Sequence, residues 1–303
     1  MFDLFEVPEK FAHRLIADTG EPGRTWLASL PGRLGELLKR WRCHPDGPVL
    51  HGRVGVVLPV RRAGLPPAVV KVSFPGYADR YEADAYAAWD GAGTVRLYAR
   101  DDENHAMLLE RASTRTLADI DDPAEALAVQ GRLSRLMSIP APAGLPRLSD
   151  SIGDWEQEIR TASASLGNPL PNPVLDTAIA TLHDLGPDQP GTLVHGDLHD
   201  ANILAADREP WLAIDPKVYV GDPAYEALNV ILSPRFGPVL ASADPAPMLD
   251  RYLDIYCTAA GLNRDRARRW TQLGAVRESL QGRRDGEPEW LIRAFDTLGA
   301  AFA

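Results

Sequence analysis

Cysteine is scarce in this sequence: the 303 residues include only Cys43 and Cys257, which lie far apart. This scarcity excludes a disulfide framework, and the wide spacing excludes a zinc site made of paired thiolates. Long apolar runs are absent as well, so the sequence predicts no membrane-spanning helix and no membrane partner. The N-terminal segment carries Asp3, Glu6 and Glu9 where a signal peptide would be continuously apolar. We therefore expect a cytoplasmic protein.

Positive charge is also in short supply. The sequence has 32 Lys and Arg residues against 42 Asp and Glu residues, which gives a formal net charge of −10. A surface of that sign repels a phosphate backbone, so we expect no nucleic-acid partner and a preference for cationic small molecules. Only four of the basic residues are lysines, at positions Lys10, Lys39, Lys71 and Lys217. Each lysine is therefore a candidate for a role that needs a compact ammonium group.

The overall composition is that of a globular protein, with 45% hydrophobic and 24% charged residues. Up to residue 112 the sequence predicts a small antiparallel sheet with one packed helix, preceded by an amphipathic helix that is interrupted at Pro31. The strands are expected at 44–50, 53–62, 68–74 and, as a pair joined by a polar turn, within 94–112; the packed helix is expected at 81–93 and the leading helix at 24–42.

Beyond this first lobe the composition becomes helical, which marks a lobe boundary. Helical patterns cover 151–186 and 246–303. Between those helical blocks, residues 193–223 form a hairpin-like insert that is rich in loop residues and ionisable groups. The expected architecture is therefore α+β, with a small lobe over 1–112 that contains the sheet and a larger, mainly helical lobe over 113–303.

The insert contains the most informative motif of the sequence. Asp197 follows His195 and Gly196, Asn202 comes five positions after Asp197, and Asp215 comes thirteen positions after Asn202. Phosphoryl transfer from ATP needs a carboxylate that orients and deprotonates the acceptor hydroxyl, and oxygen ligands that hold Mg²⁺ on the phosphates. Asp197 is the candidate catalytic base, and Asn202 and Asp215 are the candidate metal ligands. The spacing of Asp197 and Asn202 is that of the protein-kinase catalytic loop.

These segments carry a resemblance to a known family. HGDLHDANIL, AIDPK and GDPAYE resemble the aminoglycoside phosphotransferase family of the protein-kinase-like fold, and within it the streptomycin and hydroxyurea kinase subgroup. The resemblance implies a bilobal fold with ATP between a nucleotide-binding small lobe and a helical lobe that carries the catalytic loop and the acceptor site. It also implies that Lys71 in AVVKVS and Glu82 in YEADAYAAWDG form the ion pair that positions the ATP phosphates. Glu110 and Ala112 in MLLERA resemble the ATP-binding hinge.

The sequence departs from the subgroup at two places. Val218 follows Lys217 where members of the subgroup commonly read IDPKG. The glycine-rich nucleotide loop is reduced to HGRVG at 51–55, which leaves the backbone amides that contact phosphate unassigned. Neither departure removes the candidate base or the candidate metal ligands.

Several of these candidate residues could instead have a structural role or lie exposed to solvent. Lys71 fits an exposed edge strand as well as a buried ion pair, and Asp84 competes with Glu82 as the partner of that lysine. His195 is expected to orient the catalytic loop by hydrogen bonding. Lys217 is expected to offset phosphoryl charge or to anchor its loop, and the alternative is an exposed loop lysine. Five acidic residues are candidates either for a pocket that takes a polycation or for solvated helix faces: Asp154, Glu156, Glu158, Glu226 and Glu278.

The predicted function is transfer of the γ-phosphoryl group of Mg-ATP to a hydroxyl of a small cationic antibiotic. The resemblance implies streptomycin as the leading acceptor and resistance as the outcome. The catalytic residues do not encode the acceptor, so a kinase of hydroxyurea or of another small hydroxyl metabolite is the alternative. A regulatory pseudokinase is disfavoured because the key groups are present. A zinc hydrolase is disfavoured because the segment of His195 and His199 lacks the Glu of the zinc-hydrolase motif. A protein kinase is disfavoured because the motifs D-F-G and A-P-E do not occur in the sequence. We expect a monomer.

Overall fold

This computed structural model describes residues 6–53, 55–75, 80–242 and 244–303. The chain forms two compact units, Met1–Ser113 and Thr114–Ala303. The boundary expected from the sequence, after residue 112, lies beside the boundary between these units, and the roles assigned to the two lobes stay predictions. Val54, in the reduced nucleotide loop, lies outside the described residues.

The first unit contains a six-stranded antiparallel sheet. Its strands are β1 (His44–Pro45), β2 (Leu50–His51), β3 (Gly55–Arg61), β4 (Ala68–Ser73), β5 (Leu97–Asp101) and β6 (Ala106–Glu110). The order along the sheet is β1-β3-β4-β6-β5, and β2 also pairs with β3. The valine-rich runs of the sequence form neighbouring strands, as predicted, because β-branched side chains pack well on a pleated surface.

β4 is a central strand of this sheet. Lys71 in β4 lies opposite Val57 in β3 and opposite Met107 in β6. Only 7% of Lys71 is exposed. The alternative of an exposed edge-strand lysine is therefore wrong, and the buried ammonium group needs a partner inside the unit.

The helices of the first unit differ from the prediction in number. They are α1 (Glu9–Thr19), α2 (Glu21–Trp41) and α3 (Glu82–Trp89). The predicted lobe has one packed helix and one leading helix, so α1 is an additional element. Phe11 and Leu15 of α1 are buried together with Trp26 of α2 and the valines of the sheet. The sequence pattern missed α1 because its amphipathic stretch is short and ends at Gly20, where φ is 67°.

The predicted interruption of the leading helix at Pro31 is wrong, because α2 continues through this residue to Trp41. A proline inside a helix removes one hydrogen bond and costs about 3 kcal/mol. Leu30, Leu34 and Leu37 are at most 2% exposed and belong to the same core as the sheet. Burial of this apolar face offsets the cost of the proline, since tertiary packing supplies most of the stability of a helix.

The second unit is mainly helical. Its helices are α4 (Pro123–Met137), α5 (Ile152–Ser165), α6 (Asn172–Leu185), α7 (Leu228–Leu232), α8 (Gly237–Leu240), α9 (Ala246–Ala260), α10 (Arg264–Asp285) and α11 (Glu289–Ala301). α10 packs against α5, α6, α9 and α11, and its Trp270 is fully buried. The apolar faces of these helices therefore share one core around α10. No helix in the described part of the chain is long and apolar enough to cross a membrane.

Four short strands form the insert between the helical blocks. They are β7 (Leu193–Val194), β8 (Ile203–Ala205), β9 (Trp211–Ala213) and β10 (Tyr219–Val220). β8 pairs antiparallel with β9, and β7 pairs antiparallel with β10. The hairpin-like insert that the sequence predicts is thus confirmed. Each of these strands contains a buried apolar residue, and the polar segments with the candidate catalytic residues lie in the connections.

Candidate active site

The pairing of β8 with β9 brings the two candidate metal ligands to one end of a hairpin. Ile203 lies opposite Ala213 in the strand register. The backbone N–H of Ile214 donates to the carbonyl oxygen of Asn202 over 2.9 Å. Because Asn202 immediately precedes β8 and Asp215 follows β9, the hairpin ladder places both residues at the same end.

The turn before Asp197 requires a glycine. Gly196 has a φ of 79°, in the left-handed region. A Cβ atom at this position would lie 2.0 Å from the carbonyl oxygen of Lys217. The pairing of β7 with β10, in which Val194 lies opposite Tyr219, holds these two segments together. A side chain on Gly196 would therefore push the catalytic turn away from the segment that carries Lys217.

Asp197 lies at the end of this turn, with 23% of its side chain exposed. The ammonium nitrogen of Lys217 lies 2.9 Å from Asp197 Oδ2. His199 Nε2 lies 3.9 Å from the other carboxylate oxygen, Oδ1. The carboxylate of Asp197 is thus accessible and lies between two basic side chains, an arrangement in which an acceptor hydroxyl can reach it.

His195 is completely buried behind the turn. The backbone N–H of Asp197 donates to His195 Nδ1 over 3.3 Å, and Nε2 lies 3.0 Å from the carbonyl oxygen of Ile214. A ring nitrogen that accepts an N–H carries no proton, so these hydrogen bonds assign the proton to Nε2 and leave the ring neutral. Burial lowers the pKa of His195 to about 4, although the charge of Asp197 and the bond to Ile214 oppose this shift. Both ring nitrogens are engaged in holding the loop.

The amide of Asn202 is oriented by the same loop. Its Nδ2 donates to the backbone carbonyl oxygen of Asp197 over 3.0 Å, which makes Oδ1 the Asn202 atom suited to a metal. Mg²⁺ prefers oxygen ligands and is usually held by one or two protein side chains together with phosphates and water. In the described residues, no cluster of three or more His, Cys, Asp or Glu side chains is suited to a metal. The oxygens of Asn202 and Asp215 therefore fit Mg²⁺ that is shared with a nucleotide.

The first unit contains a buried ion pair. Lys71 Nζ lies 2.7 Å from Glu82 Oε1, and the two side chains are only 9% and 7% exposed. Asp84, the alternative partner, forms an ion pair with Arg100 at 2.6 Å instead. Because Glu82 is the first residue of α3, that helix presents a carboxylate to the central strand. The structure thus pairs Lys71 with Glu82 and not with Asp84.

The remaining ATP-binding candidates lie at the end of β6 and beyond it. Glu110 is the last residue of this strand, and its Oε2 accepts the backbone N–H of Arg96 over 3.0 Å. Ala112 lies two residues further along and is half-buried. In the reduced nucleotide loop, the N–H of Gly52 donates to the carbonyl oxygen of Gly55 over 3.0 Å. The assignment of Glu110 and Ala112 to an ATP-binding hinge stays a prediction.

The five acidic candidates for a polycation pocket lie in different environments. Asp154 and Glu158 are exposed on α5, and Glu156 is half-buried between two basic side chains. Glu226 is only 2% exposed, so its predicted place on a pocket wall or a solvated face is wrong. The short 3₁₀ helix that carries Glu226 turns this residue toward the core. Glu278 does line a cavity wall.

Two cavities border α10, with volumes of about 410 and 500 Å³. Glu278 and Gln281 line both of them. Burial raises the pKa of Glu278, and the positive charges of Arg277 and Lys217 oppose this rise. Lys217, which lies 2.9 Å from Asp197, is thus one of the charged groups that influence Glu278 on this cavity wall.

A buried ion pair that no sequence pattern predicted lies beside the candidate catalytic loop. Asp200 is 2% exposed, and its Oδ2 accepts a hydrogen bond from Arg235 Nε over 2.8 Å. The same guanidinium donates to the carbonyl oxygens of Leu117 and Ile120, each over 2.7 Å. The sequence gives no local signal for this pair, because Asp200 and Arg235 lie 35 positions apart.

Several proteins are similar in sequence to this chain over most of its length. The profile of the family described as aminoglycoside/hydroxyurea antibiotic resistance kinase matches residues 40–286. Over 285 residues the chain is 37% identical to streptomycin 6-kinase of Streptomyces glaucescens, which covers 93% of this chain and 92% of the relative. Over 288 residues it is 35% identical to hydroxyurea phosphotransferase of Kitasatospora aureofaciens, which covers 94% of this chain and 82% of the relative.

Solved structures with much lower sequence identity share the fold. Choline kinase of Streptococcus pneumoniae gives a TM-score of 0.56 at 15% identity, over 90% of this chain and 98% of that chain. The GDP complex of aminoglycoside 2'-phosphotransferase-IIIa gives a TM-score of 0.55 at 14% identity, over 89% of this chain and 97% of that chain. These similarities confirm the predicted α+β, protein-kinase-like fold. Together with the match over residues 40–286, they lead to one conclusion: the chain belongs to the aminoglycoside/hydroxyurea antibiotic resistance kinase family.

Proposed function

We propose that this protein transfers the γ-phosphoryl group of ATP to a hydroxyl of streptomycin and thereby confers resistance to the drug. The observation that carries the proposal is the arrangement of Asp197, Asn202 and Asp215 in one hairpin insert, where a partly exposed carboxylate and two oxygen ligands are held by backbone hydrogen bonds. The relatives support the acceptor, since the chain is similar over most of its length to a streptomycin 6-kinase.

Asp197 acts as the general base on the acceptor hydroxyl. One of its carboxylate oxygens accepts the hydroxyl proton while the acceptor oxygen forms a bond to the γ-phosphorus. The bond between the γ-phosphorus and its bridging oxygen breaks, and ADP leaves with the electron pair. Lys217, whose side chain is 65% exposed, lies 2.9 Å from Asp197 and is therefore placed to offset negative charge on the transferred group.

The other residues bind the nucleotide. Mg²⁺, when bound with ATP, supplies positive charge that neutralises the phosphates. Asn202 Oδ1 and the carboxylate of Asp215 would hold this ion. Lys71 binds the ATP phosphates, and its buried ion pair fixes the direction of its ammonium group. Glu110 and Ala112 contribute to the segment that binds the nucleotide base.

A cationic acceptor suits the acidic residue Glu278. Glu278 lines the two cavities beside α10, and a carboxylate can pair with a guanidinium group of streptomycin through two parallel hydrogen bonds. Hydroxyurea is small and neutral, so it gains little from this carboxylate. The similarity to hydroxyurea phosphotransferase keeps hydroxyurea, or another small hydroxyl compound, as the second candidate acceptor.

We also propose that the protein works as a monomer in the cytoplasm, where ATP is available. A single chain supplies every group that the proposed mechanism uses. The net charge of −10 disfavours nucleic acid as a partner.

The acceptor is tested by measuring ADP release with streptomycin, with hydroxyurea and with no acceptor. We expect streptomycin to give the largest stimulation, and its kcat/KM to fall as ionic strength rises, because salt screens the attraction between a cation and an acidic site. Glu278→Gln should raise KM for streptomycin and leave KM for ATP unchanged. Glu289→Gln is the control, since Glu289 is 80% exposed on α11 and should change neither constant.

A different result would reassign the acceptor. If streptomycin fails to accelerate ADP release while hydroxyurea or another small hydroxyl compound is phosphorylated, the protein is a kinase of that compound. If Glu278→Gln and Glu289→Gln behave alike, the cavities beside α10 do not bind the acceptor.

Asp197→Asn tests the general base. The variant should bind Mg-ATP normally, because Asp197 acts on the acceptor, but its kcat should fall by about 10²- to 10⁴-fold. Asp207→Asn is the matched control, because Asp207 is exposed in the connection between β8 and β9. An Asp197→Asn variant that keeps more than about a tenth of the wild-type kcat would require another residue as the base.

Asn202→Ala and Asp215→Asn test the metal ligands. Asn202→Ala loses an oxygen ligand and Asp215→Asn loses the negative charge of its ligand, so the Mg²⁺ concentration that gives half-maximal activity should rise by at least about tenfold in each variant. The measurement is a Mg²⁺ titration of activity at saturating ATP and acceptor, with Asp207→Asn again as the control. Titration curves that coincide with the wild-type curve in both variants would remove these two residues from the metal site.

A double-mutant cycle tests the ion pair of the first unit. Lys71→Met and Glu82→Gln should each lower kcat/KM for ATP, the lysine variant more, since Lys71 contacts phosphate and Glu82 only orients it. Their effects should be coupled by at least about 0.5 kcal/mol, as is usual for residues in contact. Asp84→Asn should combine additively with Lys71→Met, because Asp84 pairs with Arg100. Additive losses for the Lys71 and Glu82 variants would contradict a shared role.

A further inference from the structure

A buried carboxylate lies directly behind the catalytic turn. Glu226 belongs to the 3₁₀ helix Pro223–Ala227 and is 2% exposed. Its Oε1 accepts the backbone N–H of Gly196 over 2.9 Å, and its Oε2 accepts the hydroxyl of Ser134, on α4, over 2.8 Å. The backbone N–H of His195 also donates a hydrogen bond to this carboxylate. The donors to Glu226 therefore come from the helical core and from the two residues that precede Asp197.

The 3₁₀ helix is itself fixed to the core. Asp222 caps it by accepting the N–H of Ala224 over 3.0 Å. The other oxygen of Asp222 accepts hydrogen bonds from Arg266 Nε over 2.7 Å and from the indole nitrogen of Trp270 over 2.9 Å. Since Trp270 is fully buried in α10, the backbone next to Glu226 has little freedom to move.

The carboxylate of Glu226 thus connects α4 to the backbone of the turn before Asp197, while Asp222 ties the 3₁₀ helix to α10. A hydrogen bond to an ionised acceptor is roughly twice as strong as one between neutral groups. Glu226 is too deeply buried to contact ATP or an acceptor, so any effect on catalysis must pass through the turn. Gly196, which has no side chain, cannot fix the turn by packing and depends on its backbone hydrogen bond.

We propose that Glu226 is a positioning residue that holds the Gly196 peptide and thereby directs the Asp197 carboxylate toward the acceptor hydroxyl. This inference rests on the proposed role of Asp197 as the base. It assigns to Glu226 an effect on kcat and none on the binding of ATP.

The ionisation of Glu226 makes this role dependent on pH. Burial raises the pKa of Glu226 to about 7, and the charge of Asp197 adds to the rise. The hydroxyl of Ser134 and the backbone N–H groups of His195 and Gly196 oppose it. From α9, Tyr256 also faces this group, and burial keeps the pKa of Tyr256 well above its usual value, so that phenol stays neutral. As pH falls through about 7, protonation of Glu226 should weaken the hold on the turn.

The first test compares Glu226→Gln and Glu226→Ala with the wild type at several pH values. Glutamine keeps the shape and one oxygen acceptor, so its kcat should equal the value that the wild type reaches below pH 7, and the part of the pH profile due to Glu226 should disappear. Alanine leaves the Gly196 N–H without its acceptor, and a displacement of about 1 Å at the turn should lower kcat by about 10²-fold. KM for ATP should stay unchanged in both, with rates expressed per folded protein.

Ser134→Ala tests whether the effect comes from ionisation and not from loss of stability. The Ser134 hydroxyl lowers the pKa of Glu226, so its removal should move the acid limb of the kcat profile to higher pH. Ser279→Ala is the matched control: Ser279 is a fully buried serine on α10 whose hydroxyl donates to Asp296 over 2.6 Å. That variant also removes a buried hydroxyl but should leave the pH profile in place.

A second measurement does not depend on activity. In ¹⁵N-labelled protein, the amide resonance of Gly196 should titrate with a midpoint near pH 7, and the titration should be absent in Glu226→Gln. A Glu226→Gln variant with wild-type kcat and pH profile, or a Gly196 resonance that does not titrate, would overturn the inference. If the wild type transfers phosphate to no acceptor, the proposed function fails instead, and the Gly196 titration still decides whether Glu226 holds the turn.

Discussion

The position of Asp197 depends on one constraint: each polar backbone group of the turn around it must find a hydrogen-bond partner inside the protein. A buried polar group left unpaired costs about 1–3 kcal/mol. The N–H of Gly196 bonds to Glu226, the N–H of Asp197 bonds to His195, and the carbonyl oxygen of Asp197 accepts from Asn202. Because His195 and Asn202 lie on either side of the turn and Glu226 lies in a separate segment, a rotation of the turn would break several bonds at once. The network therefore specifies the direction of the Asp197 carboxylate as well as stabilising the loop.

The two buried titratable groups behind this turn affect the free energy of unfolding in opposite directions. Burial lowers the pKa of His195 from 6.5 to about 4, so between these values the unfolded chain binds more protons and stability rises with pH. Burial raises the pKa of Glu226 from 4.5 to about 7, so in that window the native state binds more protons and stability falls as pH rises. Burial of these two groups therefore lowers the free energy of unfolding at low pH through His195 and at high pH through Glu226. Between pH 4.5 and 6.5 the two pH dependences of stability therefore oppose each other.

Buried ion pairs serve a similar purpose in both units. Lys71 and Glu82 meet at 2.7 Å in the first unit, and Asp200 and Arg235 meet at 2.8 Å in the second. Such pairs add little net stability, because desolvation of the two charges offsets their attraction. Loss of one partner, however, leaves an uncompensated charge, so each pair restricts its unit to conformations in which the partners stay in contact. The charged groups proposed for catalysis therefore rest on a framework with few alternative arrangements.

The sequence by itself determined the strands of the first unit and the helical character of the second, and it singled out the residues of the proposed catalytic motif, because periodicity and spacing are local properties. Asp197, Asn202 and Asp215 lie close together in the chain, and a short hairpin suffices to join them. Only the tertiary structure decided that α2 continues through Pro31. Burial of α2 against a sheet whose strands come later in the sequence offsets the cost of the proline. It also decided that Glu226 faces inward, because the Gly196 amide that it binds lies 30 positions away and a local pattern carries no information about such a contact.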